Sequence, residues 1–264
     1  MPKNAHVEME QTVTTVADGH YADKQLNCPS SVIAFSHRAR FTTAVALAGR
    51  NPEGRLLDYG AGDGTFLAMV AGHFASCVGA DIAPEQVDDC TRRFHGVPNV
   101  TFCEISALQG AAHDAAYDVV TCMEVMEHCP PEALQTVVSD LRRLVTPNGR
   151  VIVSVPIETG PAFILKYVVR TVAGWRRLSD YRHYERYPVR DALRMIFATK
   201  QTQVVRPLYG EVPAQFHSHY GFNWHAVERR LEDLFVIEQR MVSPFTVLGG
   251  ACSSQAWMIC RPRP

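Results

Sequence analysis

In the stretch LLDYGAGDGTFL, residues 56–67, Asp58 stands just before three alternating glycines, Gly60, Gly62 and Gly64, and an apolar pattern resumes at Phe66. An apolar run that ends in glycines and restarts as a helix predicts unpaired backbone N–H groups and the positive end of a helix dipole at the carboxyl edge of a sheet. Glycine there permits left-handed backbone angles and lets a ligand approach with no Cβ in the way. A second acid, Asp81, ends the next strand-like run 17 residues after Gly64, where a carboxylate can accept both hydroxyls of a ribose. The spacing is G-x-G-x-G, with Thr65 where the third glycine of a dinucleotide loop would fall. A carboxylate at Asp58 repels a pyrophosphate but suits an ammonium or sulfonium group. These residues point to a cationic nucleoside and away from a dinucleotide.

Histidine supplies the other candidate chemistry. His128, in EVMEH just beyond a strand-like run, is placed to act as a general base; packing or capping at the start of the next helix is the plain alternative. His183 lies within YRHYERY, and His217 and His219 within FHSHYGF. An H-x-H pair can ligate a metal, but no third ligand accompanies it at convincing spacing. Glu124 and His128 stand at i and i+4 on a short loop, a poor metal helix, so no metal is expected.

These residues need a frame. Five strand-like runs, RLLDYG (55–60), ASCVGAD (75–81), NVTFCE (99–104), YDVVTCM (117–123) and GRVIVSV (149–155), alternate with helical segments. The helices open at 64, Pro84 and Pro131, which argues for βαβ units and a parallel sheet covered on both faces. After Pro156 come two helical patterns, GPAFILKYVVRTVAGWRRL and PVRDALRMIFATK. A third helix, FNWHAVERRLEDLF, is followed by two closing strands, FVIEQRMV and SSQAWMIC, that read as antiparallel.

The chain has 264 residues, 47% of them hydrophobic, enough to fill one large core. A formal net charge of -1 gives no global attraction to nucleic acid, which is not an expected partner. Eight cysteines without a C-x-x-C pair read as small buried residues in a reducing compartment. No apolar stretch reaches the length of a membrane span and the N-terminus lacks a signal-peptide core, so a cytoplasmic location is expected.

LLDYGAGDG, VGADIAP, YDVVTCMEVMEH and LRRLVTPNGRVIVSVP, in that order, resemble the four motifs of the class I S-adenosylmethionine-dependent methyltransferases. EVMEH followed by prolines, together with GFNWHAVERRLEDLF, is most similar to the ubiquinone-pathway O-methyltransferases and their bacterial relatives. The resemblance covers residues 50–156 firmly and 217–262 more loosely. It implies an α/β Rossmann-like fold: a seven-stranded, mostly parallel sheet with helices on both faces, an antiparallel last strand and a helical lid insertion. It also implies S-adenosylmethionine as cofactor and S-adenosylhomocysteine as product. Asp58 and the backbone of Tyr59, Gly60, Ala61 and Gly62 would then cradle the methionyl part, with Asp81 on the ribose and Ile82 against the adenine face. Glu104 and Ile105 occupy the adenine-side position, where the family more often has aspartate and a small residue. Met123 and Glu124 would line the methionine arm.

Four segments are expected: a helical cofactor cover (1–50), the cofactor-binding core (51–156), a substrate-lid insertion (157–215) and the rest of the core sheet (216–264). Tyr21, His37, Arg38, His183 and His217 are the substrate or lid candidates. In 161–178 a face of Lys166, Arg170 and Arg177 opposes apolar residues. That pattern fits either a peripheral membrane contact or a lid helix with cations solvated or paired in a homodimer. The leading activity is O-methylation of a small-molecule or lipid-like acceptor, with N- or C-methylation as alternatives. An NAD(P)-dependent oxidoreductase and a non-catalytic cofactor-binding subunit are the competing classes.

Overall fold

Strand β1, Asn51–Tyr59, carries the glycine loop at its carboxyl end. Leu56, Leu57, Asp58 and Tyr59 are all buried, the pattern of a strand covered on both faces. The computed structural model describes residue 26 and residues 31–175, 187–210 and 215–264. Helix α1, Ser31–Ala48, precedes β1; α2, Thr65–Val70, β2, Phe74–Asp81, α3, Pro84–Arg93, β3, Val100–Glu104, and β4, Tyr117–Met123, follow it. Then come α4, Pro131–Leu144, β5, Val145–Pro156, α5, Gly160–Trp175, α6, Val189–Ile196, β6, Leu208–Tyr209, and β7, Phe216–His217. Helix α7, His225–Leu234, β8, Phe235–Ser243, and β9, Gln255–Pro262, complete the order.

The seven-stranded sheet has the order β3-β2-β1-β4-β5-β9-β8, and β6 and β7 form a separate two-stranded ladder. β1 runs parallel to β2 and β4, and β2 runs parallel to β3, while β8 and β9 are antiparallel. This is the mostly parallel Rossmann-like sheet that the alternating runs predict. β1 begins four residues before the expected strand: Asn51 pairs with Phe74 across an irregularity before regular pairing starts at Arg55.

By contact the chain divides into two units, one of residues 1–123, 143–152 and 264, the other of 124–142 and 153–263. The first is centred on Leu56, Leu57, Phe66, Leu67, Cys77, Tyr117 and Val120, all nearly or fully buried. α3 has Pro84 at its start, Glu85 in its first turn and Arg92 and Arg93 in its last. That order suits both the missing proline N–H and the helix dipole. The core of the second unit holds Val227, Leu231, Phe235, Trp257 and Met258, with the Trp257 indole donating to Ser243 Oγ at 2.9 Å. Phe163 of α5 and Met195 of α6 add a small apolar cluster with Val204, against which Tyr167, Tyr187, Ala192, Ile196 and Tyr220 pack.

Two expectations need correction. Lys166 does not belong to a solvated basic face: its ammonium donates to Glu158 Oε1 and to the Ser254 carbonyl, each at 3.1 Å. Ile164, Leu165 and Val168 are among the exposed side chains of α5; the Arg170 side chain and Arg177 lie outside the described residues. Among the seven described cysteines, all free thiols, Cys77, Cys90, Cys122 and Cys260 are buried, but Cys252 is exposed.

Candidate functional site

The glycine loop lies in the first unit, and hydrogen bonding within that unit decides what it can bind. Gly60, Gly62 and Gly64 all have left-handed φ, at 83°, 54° and 75°, a conformation that only glycine adopts without strain. The N–H groups of Gly60 and Ala61 both donate to the Ala80 carbonyl, at 2.7 and 3.0 Å. That of Gly62 donates to Asp81 Oδ2 at 2.8 Å. Gly64 donates to Ala61, and Thr65 to Asp63 Oδ1. Five of the N–H groups predicted to be unpaired, those of Gly60, Ala61, Gly62, Gly64 and Thr65, are thus taken up by β2 and the loop itself. Such a loop has little to offer a pyrophosphate.

Beneath it, Asp58 is 2% exposed and accepts a 2.7 Å hydrogen bond from the Thr121 hydroxyl, its register partner on β4. Burial pushes the Asp58 carboxyl up to about 7 from its ordinary 3.8; the Thr121 hydrogen bond opposes that rise and the charge of Asp81 adds to it. A carboxylate held this far from its ordinary range is stabilised by a cation brought close to it. A Cβ on Gly62 would meet nothing within 4 Å, so the backbone there is open to close approach. Ile82 presents its side chain 76% exposed just after Asp81, an apolar surface for a flat base.

Asp81 also accepts from Ala83 N–H at 3.0 Å, so one carboxylate shapes the loop and the turn into α3 together. Glu104 is Asp81's register partner on β3 and exposed, and Ile105 is half-buried beside it. α3 grips the loop's carbonyls, Cys90 Sγ donating to Gly62 at 3.3 Å and Arg93 to Asp63 at 2.6 Å. Met123, half-buried, ends β4. On α1, Arg38 Nε donates to the Leu26 carbonyl at 3.3 Å, and burial with the charge of Arg40 lowers His37 to about 4. Tyr21 and His183 lie outside the described residues.

His128, His217 and His219 lie in the second unit. Glu124 has a φ of 56°, rare for a non-glycine residue and a mark of functional or strained backbone. Its N–H donates to the Ser154 carbonyl and its Oε1 accepts from the Ser154 hydroxyl. A 3-10 turn, Met126–His128, follows. His128 Nδ1 lies 2.8 Å from the His217 carbonyl; since a carbonyl only accepts, Nδ1 carries the proton and Nε2 the lone pair. Burial lowers the pKa of His128, the His217 hydrogen bond opposing, so the ring is neutral near pH 7. That is the state a general base needs.

His217 contributes its carbonyl here; its own ring bonds the Pro207 carbonyl at 2.7 Å. The H-x-H pair therefore does not act as one. Glu127, Glu158 and Arg206 are what sequence reasoning left out of the site; His219 entered only as half of the H-x-H pair and Lys166 only as a lid cation. Glu127, His128 and His219 bring one donor atom each within 4.8 Å of one another, supplying a third donor that the spacing alone did not show. The nearly buried Glu158 takes Lys166 and His219 on the same oxygen, at 3.1 and 3.5 Å. Only the polar Thr121, in the apolar part of the run YDVVTCM, and Gly79 in mid-strand left a trace in the sequence. A Cβ on Gly79 would lie 2.6 Å from the Phe102 ring, the close approach that an isolated strand glycine signals.

Comparison with known proteins agrees with this geometry. Residues 56–149 match the family model described as a methyltransferase domain. The ubiquinone biosynthesis O-methyltransferase of Klebsiella pneumoniae subsp. pneumoniae is 34% identical over 118 residues, 43% of this chain and 47% of the relative. That of Xylella fastidiosa is 34% identical over 137 residues, 48% of this chain and 54% of the relative. The matched stretch thus spans about half the length of these relatives. Among solved structures, the PH0226 protein of Pyrococcus horikoshii OT3 has a TM-score of 0.58 at 15% identity, over 92% of this chain and 98% of its own. N-methyltransferase NodS of Bradyrhizobium japonicum WM9, solved with S-adenosyl-l-homocysteine, has 0.55 at 12%, over 97% and 99%. Identities this low carry the fold alone. Residues 56–149 are thus similar to a methyltransferase domain, and the fold is that of the solved N-methyltransferase NodS.

Proposed function

We propose that this chain transfers a methyl group from S-adenosylmethionine to a hydroxyl of a small or lipid-like acceptor. The observation that carries the reading is Asp58, a buried carboxylate under a loop in which the N–H groups of Gly60, Ala61 and Gly62 are already bonded to β2. That combination selects a cation over a phosphate, and disfavours the dinucleotide oxidoreductase. When bound, the sulfonium cofactor would supply an activated methyl group to a nucleophile, with the neutral thioether as the leaving group. Asp58 would hold the positive charge, Asp81 the ribose hydroxyls, and Ile82 with Glu104 and Ile105 the base. The ionised Asp58 favours a charged reactant over a neutral thioether product, which biases the site toward product release.

Oxygen as the accepting atom is supported by the similarity to ubiquinone biosynthesis O-methyltransferases and by His128. With Nδ1 held on a carbonyl, Nε2 is free of the tautomeric ambiguity and takes the acceptor's proton as the new O–C bond forms and the S–C bond breaks. His128→Ala is expected to leave cofactor affinity unchanged in calorimetry while turnover on a hydroxylated acceptor falls by about 10²- to 10⁴-fold. Unaltered turnover would remove His128 from the mechanism. Residues 157–215 are proposed to select the acceptor and 1–50, with His37 and Arg38, to cover the cofactor.

Membrane contact, expected of 161–178, is proposed instead for α6, because Lys166 of 161–178 is paired with Glu158. No described helix is long and apolar enough to cross a membrane. On α6 and at its C-cap, Val189, Leu193 and Phe197 recur every fourth residue, 77%, 50% and 75% exposed, and Arg190 and Arg194 accompany them. Such a stripe fits a surface helix on anionic lipid. Co-sedimentation with phosphatidylglycerol vesicles at low salt should capture the chain, and Leu193→Glu with Phe197→Glu should release it. Absence of capture ends the idea, and a concentration-dependent dimer in sedimentation would assign the stripe to a second copy.

A further inference from the structure

The carbonyl that fixes His128 belongs to a segment with little regular structure. His217 ends the two-residue strand β7, whose pairing is Leu208 with His217 and Tyr209 with Phe216. A ladder this short is marginal by itself. Yet the His217 carbonyl sits 2.8 Å from His128 Nδ1, across 89 residues of chain.

Arg206 accounts for that constancy. Its Nη2 donates to the Glu127 carbonyl at 2.5 Å and to the Ser218 carbonyl at 2.6 Å, and its Nε donates to the Tyr220 carbonyl at 3.1 Å. The guanidinium also lies over the Phe222 ring, 5.2 Å from its centroid. Glu127 directly precedes His128, and Ser218 directly follows His217. One nitrogen is therefore bonded to the chain neighbour of each member of the His128–His217 hydrogen bond. A planar guanidinium with donors in a fixed fork can hold three carbonyls at set angles; an ammonium cannot.

We propose that Arg206 is a positioning residue: it holds His217's carbonyl against His128 and thereby fixes the imidazole as the Nδ1–H tautomer, with Nε2 aimed for proton transfer. The catalytic part of this inference rests on His128 being the base of the proposed methyl transfer; the tautomer does not. Loss of Arg206 frees the 216–220 segment from the 126–128 turn, and the imidazole then samples both tautomers and more than one orientation.

The test is nitrogen NMR of the full chain labelled at histidine, with the His128 resonances identified by their loss in His128→Gln. In the parent, one nitrogen of His128 should show the protonated signature and the other the bare one, as a single Nδ1–H tautomer. In Arg206→Ala and Arg206→Lys the two signals should move toward each other as tautomers mix. Turnover should fall about 100-fold, the cost of misplacing a reacting group by about an ångström, in kcat and not in the cofactor's KM. A folded Arg206→Ala or Arg206→Lys with His128 still wholly Nδ1–H overturns the proposal. Failure of both variants to fold overturns it too, making Arg206 a stability element. If His128→Ala keeps full turnover while the tautomer shifts as expected, the base assignment fails and the positioning stands.

Discussion

Asp58→Asn is expected to weaken S-adenosylmethionine binding by about 100-fold or more, the ~3 kcal/mol that truncating one partner of a buried charge pair costs. The same substitution is expected to stabilise the cofactor-free chain at pH 8. Asp58 titrates near 7 in the folded chain against an ordinary 3.8. The protonated carboxyl therefore favours folding; its contribution is complete below about pH 4 and is lost as pH rises to 7, at no more than about 1.4 kcal/mol per unit. Asparagine keeps an oxygen for the Thr121 hydroxyl and has no such loss. A cationic ligand needs the ionised form, so affinity of the parent should fall about tenfold per unit as pH drops below 7, with release of one proton on binding. His37, lowered to about 4, stays neutral through that window. Calorimetry at pH 6, 7 and 8 in buffers of different ionisation heat reads affinity and proton release together, and thermal melts at pH 5 and 8 read stability. Affinity independent of pH, or an asparagine variant that binds normally, would remove the carboxylate from the site.

The second large effect separates two glycines of one loop. Gly64→Ala would place a Cβ 2.9 Å from Phe94 Cε2 and 3.0 Å from Phe102 Cζ, rings already packed edge to face at 4.9 Å, with φ at +75°. Left-handed strain of about 1–2 kcal/mol and overpacking of about 1–3 kcal/mol should together lower stability by roughly 2–5 kcal/mol. Gly62→Ala carries only the backbone strain, because nothing lies within 4 Å of its Cβ. It should lose about 1–2 kcal/mol of stability and no more, and lose cofactor affinity, since the methyl group fills the face a ligand must approach. Denaturant unfolding and cofactor titration of both variants check this; equal stability loss in the two would show that Gly62 too is packed.

Much of the fold was legible because its boundaries are written in local chemistry. β4 occupies Tyr117–Met123 as the apolar run YDVVTCM predicts, and α3 opens at Pro84, where a proline costs no helix bond. What escaped the sequence depends on partners far along the chain. The loop's donors looked unpaired because nothing local shows that Ala80 and Asp81 lie beside them on β2. The periodicity of α5 placed Lys166 among exposed cations, but Glu158 and, 88 residues away, Ser254 draw it inward. His217 drew attention as an imidazole, whereas its carbonyl is the group that meets His128. Side-chain type marks candidate chemistry well; which atom of a residue is used follows only from tertiary packing.

The central claim, a sulfonium nucleoside in the glycine cradle, is tested most directly by calorimetric titration with S-adenosylmethionine, S-adenosylhomocysteine, NAD and NADP, on the parent and on Asp81→Ala. Binding of the first two in the micromolar range is predicted, weakened roughly tenfold or more by the substitution, as loss of hydrogen bonds to a charged group implies. Tight binding of NAD or NADP, or no binding of the first pair, would contradict it.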